Sequence, residues 1–213
     1  MTTLSDLTAD ISDDIDDTSG EYGSQILKAV QGAQRDCERF TFYFNETRDV
    51  TFSTVISQQW YGAAANANIP TLVHIQQAYF TDTGGNILFL DWSPPEELEI
   101  LSDSTSATGQ PSDYTYFNKQ IRLYPIPNAI YTIRLQLGPY RLGALMNPTD
   151  NNAWLDEAYD LMKARAKYRL WKNTLKEPGL AAEALNDYNE QFSLLKSETS
   201  SRNGSGYIRA TQF

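Results

Sequence analysis

Leu4, Leu7, Ile11 and Ile15 recur at spacings of three, four and four. That spacing puts them on one helical stripe with the intervening carboxylates turned away, and predicts a short amphipathic helix over 4–16. Gly20 and Gly23 in DTSGEYGS break it. Ser24 is a good N-cap, and Ile26, Leu27, Val30, Ala33, Cys37 and Phe40 repeat with helical period, so a second helix is expected over 24–40. The period then changes. FYFN (42–45) and a Thr/Val/Ile-rich run over 47–56 read as strands, and 71–81 with 86–91 flank Asp82, Thr83, Gly84 and Gly85 as a hairpin. Ser93, Pro94 and Glu96 fit N-cap, N1 and N3 of one short helix reaching 101. The stretch 102–112 holds only Ser, Thr, Asp, Gly, Pro, Ala and Gln, and predicts a flexible loop. Strands resume over 114–118, 120–124 and 130–137. Ile121 and Leu123 alternate with Arg122, and Ile133, Leu135 and Leu137 with Arg134 and Gln136, which predicts one buried face and one wet face.

The last third is helical again. Trp154, Ala158, Leu161 and Tyr168 form one stripe and Leu155, Tyr159, Met162 and Ala166 the adjacent one, so a helix over 153–174 carries an unusually wide apolar surface. Glu177-Pro178-Gly179 joins it tightly to a second helix, where Ala181, Leu185, Tyr188, Phe192 and Leu195 keep the rhythm to about 197. A short link implies antiparallel neighbours. A polar, flexible stretch over 197–206 precedes Tyr207, Ile208 and Phe213. The expected fold class is α+β: an antiparallel helical bundle built from both ends of the chain (1–41 and 150–197), an inserted antiparallel β domain (42–149) and an extended C-terminal arm (198–213).

Composition and charge narrow the chemistry. With 27 acidic against 17 basic residues the formal net charge is −10, and seven of the acids lie in the first 21 residues beside no Lys or Arg. Such a chain is repelled by polyanions unless a basic patch is segregated, which argues against nucleic-acid binding as its main task. Apolar runs are too short for a membrane span and the start lacks a basic and apolar leader, so a soluble, unexported chain is expected. A single cysteine, Cys37, and a single histidine, His74, remove disulfides and most metal and triad arrangements, and each reads as a packing residue.

Candidate sites are few. DDIDDTSGEYGS invites a calcium loop, but a start at Asp14 puts Ser19 where glycine is needed, and a start at Ile15 puts Ile26 where a bidentate Glu is needed. The adjacent carboxylates Asp13/Asp14, Glu96/Glu97 and Asp156/Glu157 diverge on a helix and make no dyad. No nucleophile elbow, phosphate loop, dinucleotide fingerprint or zinc-protease motif occurs. The chain is therefore expected to be no enzyme and to need no metal or cofactor. Lys163, Arg165, Lys167, Arg169, Lys172 and Lys176 put six cations in 14 residues without an acid. They are expected to face the acidic first helix, its own or a neighbour's, or an acidic partner. For contacts between subunits the pairing is Lys163, Lys167 and Lys172 against Asp13, Asp14 and Asp17. The aromatics at Phe40, Phe42, Tyr43 and Phe44 and at Trp60 and Tyr61 are core or interface anchors. A rival reading makes Trp60, Tyr61 and Trp92 a carbohydrate-binding or receptor-binding surface, and another makes Glu96 or Glu97 the acid of a cell-wall hydrolase.

The order of parts carries more than any motif. An acidic amphipathic helix, a second helix closing on ILKAVQGAQRDCERFTFYFNE, the strand segment IRLYPIPNAIYTIRLQL and a helical pair opening on DEAYDLM resemble, over roughly 4–197, the head-to-tail adaptor (connector) proteins of tailed bacteriophages. The resemblance implies a virion structural protein of the neck, made in the host cytoplasm. It implies a dodecameric ring that docks on the portal protein, extends the DNA channel without binding the duplex specifically, and carries tail or nozzle proteins. It also implies a C-terminal arm that reaches the portal or a neighbouring subunit, here Tyr207, Ile208, Arg209 and Phe213. The 102–112 loop has no counterpart in that resemblance.

Overall fold

The computed structural model describes residues 2–102, 107–202 and 204. In chain order its elements are α1 (Leu4–Asp14), α2 (Gly23–Cys37), β1 (Thr47–Ser53), β2 (Trp60–Tyr61), β3 (Ile75–Thr81), β4 (Ile87–Trp92), α3 (Pro95–Ser102), β5 (Thr108–Gly109), β6 (Asp113–Phe117), β7 (Gln120–Tyr124), β8 (Ile126–Pro127), β9 (Thr132–Leu137), α4 (Ala153–Glu157), α5 (Tyr159–Leu170) and α6 (Pro178–Arg202). A π turn over Trp171–Leu175 lies between the last two. The class is α+β, and the chain divides into two units, Met1–Asn45 with Leu142–Phe213, and Glu46–Arg141.

In the helical unit, α1 starts on a reciprocal cap. The Asp6 backbone N–H donates to the Thr3 hydroxyl at 3.3 Å, and the Asp6 carboxylate accepts the Thr3 N–H at 2.7 Å. Leu4, Leu7 and Ile11 are buried, as their spacing requires. The turn into α2 is closed by Asp17, whose carboxylate accepts the Glu21 and Tyr22 N–H groups at 3.0 and 2.9 Å. Ser24, the expected cap, instead donates to the Gln25 side chain. The expected 153–174 helix is broken at Ala158, whose backbone leaves the helical region (φ −142°, ψ 35°). Trp154 and Leu161, and Leu155 and Met162, are all buried across the break. Helix α5 packs against both α2 and α6. Helix α6 runs to Arg202, so 198–202 are helical where an extended arm was expected.

The FYFN strand does not form. Phe42, Tyr43 and Phe44 sit in a turn, with Phe42 stacked on Phe44 at 5.8 Å and both rings edge-on to Trp154 at 5.8 and 4.9 Å. Their aromatic area is spent on the helical core rather than on a ladder, a case of tertiary burial overriding strand propensity. Asn45 holds this turn from within. Fully buried, it accepts the Phe42 N–H at 2.7 Å and donates to the Phe40 carbonyl at 2.9 Å. The returning chain is held the same way: the Gln34 amide donates to the Gly143 carbonyl at 3.1 Å and accepts the Leu145 N–H at 3.4 Å, and Asn152 donates to the same carbonyl at 2.7 Å.

The β unit is built on a sheet of order β1-β9-β3-β4-β6-β7-β2, antiparallel except where β4 meets β6. The 82–86 turn closes the β3–β4 hairpin around the Asp82 carboxylate, which accepts the Gly84 and Asn86 N–H groups at 2.8 Å each. Ile133, Leu135 and Leu137 of β9 point inward as expected. Arg122 does not face water: α3 covers it, and it is 7% exposed. The Ser93 hydroxyl donates to Asp113 and α3 begins at Pro95, two residues after the expected cap. The expected 102–112 loop is in part paired, since Thr108 and Gly109 join Ile126 and Pro127 as a short parallel bridge. His74 is exposed just before β3 rather than packed in a strand.

Asn45→Ala is expected to lower unfolding free energy by about 1–3 kcal/mol, because it orphans a buried amide and a carbonyl together. Urea unfolding of the full chain measures it, and an unchanged midpoint would show that the turn is held by the aromatic stack alone.

Candidate functional site

The charged seam of the helical unit arises from matched spacing. Asp10 and Asp14 on α1 are four apart, and so are Tyr159, Lys163 and Lys167 on α5, so each rung falls one helical turn from the next. The Tyr159 hydroxyl donates to Asp10 at 2.7 Å, and Lys163 lies 3.7 Å from Asp10 and 3.1 Å from Asp14. Lys167 completes the ladder, 2.9 Å from Asp14. Burial pushes the Asp14 carboxyl up, but hydrogen bonds and charge from Lys167 and Lys163 outweigh it and the net shift is downward. Burial and the Asp10 hydrogen bond push the Tyr159 hydroxyl upward, so it stays a donor.

On the other side of α5, Asp36 of α2 accepts from Arg165 Nε and Nη2 at 2.9 and 2.8 Å and from Arg169 Nη1 at 3.3 Å. Arg165 also lies over the Tyr168 and Tyr188 rings at 5.2 and 4.9 Å. Gly32 makes room for this cluster: a Cβ there would come within 2.5 Å of Arg169 Nε. Beside it, Cys37 is buried and its thiol is pushed up to about 12, chiefly by burial, which makes it inert as a nucleophile.

The residues expected to join subunits thus have individual placements. Lys163, Lys167 and Asp14 meet one another within one chain. Lys172 donates to the Tyr168 hydroxyl at 2.8 Å, Asp17 caps the turn into α2, and Asp13 is exposed. Tyr207, Ile208, Arg209 and Phe213 lie outside the described residues. Sequence reasoning missed Tyr159 and Asp36, yet both are visible as members of an i, i+4 series: Tyr159 leads the Lys163/Lys167 pair, and Asp36 answers Arg165 and Arg169.

In the β unit, Arg122 is anchored by Gln59 at 3.1 Å, Ser102 at 2.8 Å and Glu99 at 3.7 Å, and covers the Trp60 ring at 5.4 Å. Tyr61 is 1% exposed with its hydroxyl donated to the Gln58 carbonyl at 2.7 Å. Tyr61 is therefore structural, while Trp60 is half-buried under Arg122 and Trp92 is exposed. Trp92 borders a cleft of about 500 Å³ shared with Val73, His74, Tyr114 and Tyr116. Its lining includes no carboxylate, cysteine or cation, so it offers no acid–base pair. Glu96 and Glu97 sit in the first turn of α3. Among the described residues no three His, Cys, Asp or Glu side chains converge on a metal position, and no helix is long and apolar enough to cross a membrane. What the surface does offer is apolar: Ile87, Leu88 and Phe89 stand exposed in succession on β4.

The depressed Asp14 carboxyl sets a pH dependence. Its folded value lies below the reference of 3.8, so its contribution is complete above that pH and is lost as pH falls through the folded value. Thermal unfolding followed from about pH 5 to about pH 2.5 should show a steeper fall in midpoint for the native chain than for Asp14→Asn. Equal slopes would show that the ladder adds nothing to the folded state.

A family profile described as SU10 adaptor protein matches residues 2–210, both units included. No curated protein matches the chain. The matching family is one of structural adaptors and not a known enzyme family, which agrees with a bacteriophage virion component. With nearly its whole length covered, the chain belongs to the SU10 adaptor protein family.

Proposed function

We propose that this protein is a head-to-tail adaptor of a tailed bacteriophage: it forms a ring below the portal, extends the DNA channel and presents the surface on which tail or nozzle proteins assemble. The family match over 2–210 carries this reading. Physical features support it. The helical unit is clamped on both sides of α5 by charge clusters that fix its orientation, and the β unit presents apolar side chains on β4. The net charge of −10 suits a conduit, because a cation-lined channel would hold a sliding duplex at each phosphate and release counterions in doing so.

Subunit contacts in this reading use the charges that the fold leaves over. Lys172 keeps donors beyond its bond to Tyr168, and Asp13 is exposed, so these two are assigned to pairs between neighbours. Lys163, Lys167, Asp14 and Asp17 act through them by fixing α1 and α5. The segment with Tyr207, Ile208, Arg209 and Phe213 is the arm that reaches the portal or a neighbouring subunit.

Native mass spectrometry of the full chain, alone and co-expressed with the portal protein, is expected to give a closed ring, with dodecamer as the expected copy number. A chain that stays monomeric and fails to associate with portal rings would overturn the reading. Removal of 205–213 is expected to keep the thermal midpoint and abolish docking; loss of the folded state would show that the segment belongs to the core.

A further inference from the structure

Strand β4 has two neighbours at one end and one at the other. Pairing with β3 runs from Ile87 opposite Thr81 to Leu90 opposite Ala78. Strand β6 joins it only at Asp91 and Trp92, where the Asp91 N–H donates to the Ser112 carbonyl at 2.8 Å. Among the described residues, no strand pairs with the far side of 87–90. Alternation along an antiparallel ladder fixes which groups face that side. Asp91 points its N–H toward β6, so Phe89 and Ile87, two and four residues earlier, point theirs the same way.

The side chains there are what an edge exposed to water ordinarily avoids. Ile87, Leu88 and Phe89 are 58%, 43% and 65% exposed. Soluble proteins blunt open edges with charge, proline or a bulge, because bare backbone donors beside apolar side chains template another strand. None of the three carries such a guard. On the outer face Phe89 leans on Tyr79 at 5.2 Å, and Arg134 covers the same Tyr79 ring at 4.9 Å, so the row is stiff and already aromatic. Asp91, exposed on that face, is its nearest acid in the strand.

We propose that this edge is the receptor for strand addition by residues 207–213 of a second copy of the chain, which deepens and rests on the ring reading above. Four observations select that occupant. The seven residues YIRATQF contain Tyr, Ile, Thr and Phe, all strand formers, and no glycine or proline. Their length exceeds the four-residue gap, which spans roughly 13 Å at strand rise. In a strand added antiparallel there, alternation would put Tyr207, Arg209, Thr211 and Phe213 on one face, with Thr211 opposite Phe89, the Phe213 ring diagonal to it and Arg209 beside Asp91. Gly204, Ser205 and Gly206 precede the segment and separate it from α6 without side-chain bulk. Main-chain bonds supply affinity in such an addition, and alternate side chains supply register. An arm given to one neighbour while the edge accepts another's is a head-to-tail contact, and repeated around an axis it closes a ring.

The test uses two full-length chains, one carrying Phe89→Cys and the other Thr211→Cys with a distinguishing mass tag, mixed under the conditions that give the ring. Cys37 is buried and stays out of the reaction. The expected result is a disulfide between the two different copies, together with amide exchange at Ile87 and Phe89 slowed at least about tenfold on assembly. Phe89→Lys should remove that protection while leaving the thermal midpoint unchanged. A ring of unchanged mass with fast exchange and no cross-link overturns strand addition and leaves the ring reading standing. If the two single variants give no disulfide while a chain carrying both Phe89→Cys and Thr211→Cys cross-links within itself, the second copy is overturned as donor, and absence of any ring overturns both readings.

Discussion

The demand that organises the helical unit is the two-sided burial of α5. Leu161, Met162, Ala164, Ala166 and Leu170 are buried over a width that no single neighbour can cover, so α2 and α6 both pack on it. These neighbours come from opposite ends of the chain, and meeting that demand forces the first 45 residues and the segment after 141 into one core. The β unit is inserted as a consequence of this closure. Trp154, fully buried and ringed by Phe42 and Phe44, joins the early turn to the late helices at the centre.

Charge refines what burial establishes. The Asp10–Asp14 ladder and the Asp36 cluster lie on opposite flanks of α5, and their side chains are only partly covered. Pairs of this kind contribute modestly to stability but penalise wrong rotations strongly, because a helix turned by one position would set like charges together. Orientation of α1 against α5 is thereby fixed by residues that leave the apolar core free to be smooth. The same arrangement pairs Lys163 and Lys167 with the chain's own first helix.

Much of this was legible in the chain. The stripe of α1, the hairpin around Asp82, the alternation of β9 and the acid-facing side of α5 all follow from local spacing. What stayed hidden depends on contacts far along the chain. Arg122 alternates with apolar neighbours and so reads as wet, but α3 descends on it from 20 residues away and supplies Ser102 and Glu99 as partners. FYFN has strong strand propensity, yet Trp154 recruits its rings. The break at Ala158 is invisible to periodicity because Trp154 and Leu161, like Leu155 and Met162, stay seven apart across it. The bare edge of β4 is a property of where β6 stops, which no local pattern reports.

Insertion also means that the β unit hangs from two covalent tethers rather than one. Near each tether the main chain is grasped by carboxamides: Asn45 grips the outgoing segment at Phe40 and Phe42, while Gln34 and Asn152 converge on Gly143 of the incoming one. Carboxamides do not titrate and carry no charge to be screened. A mechanical load on the inserted unit would therefore be borne at two tethers held by contacts indifferent to acid and to ionic strength, whereas the ladders on α5 respond to both.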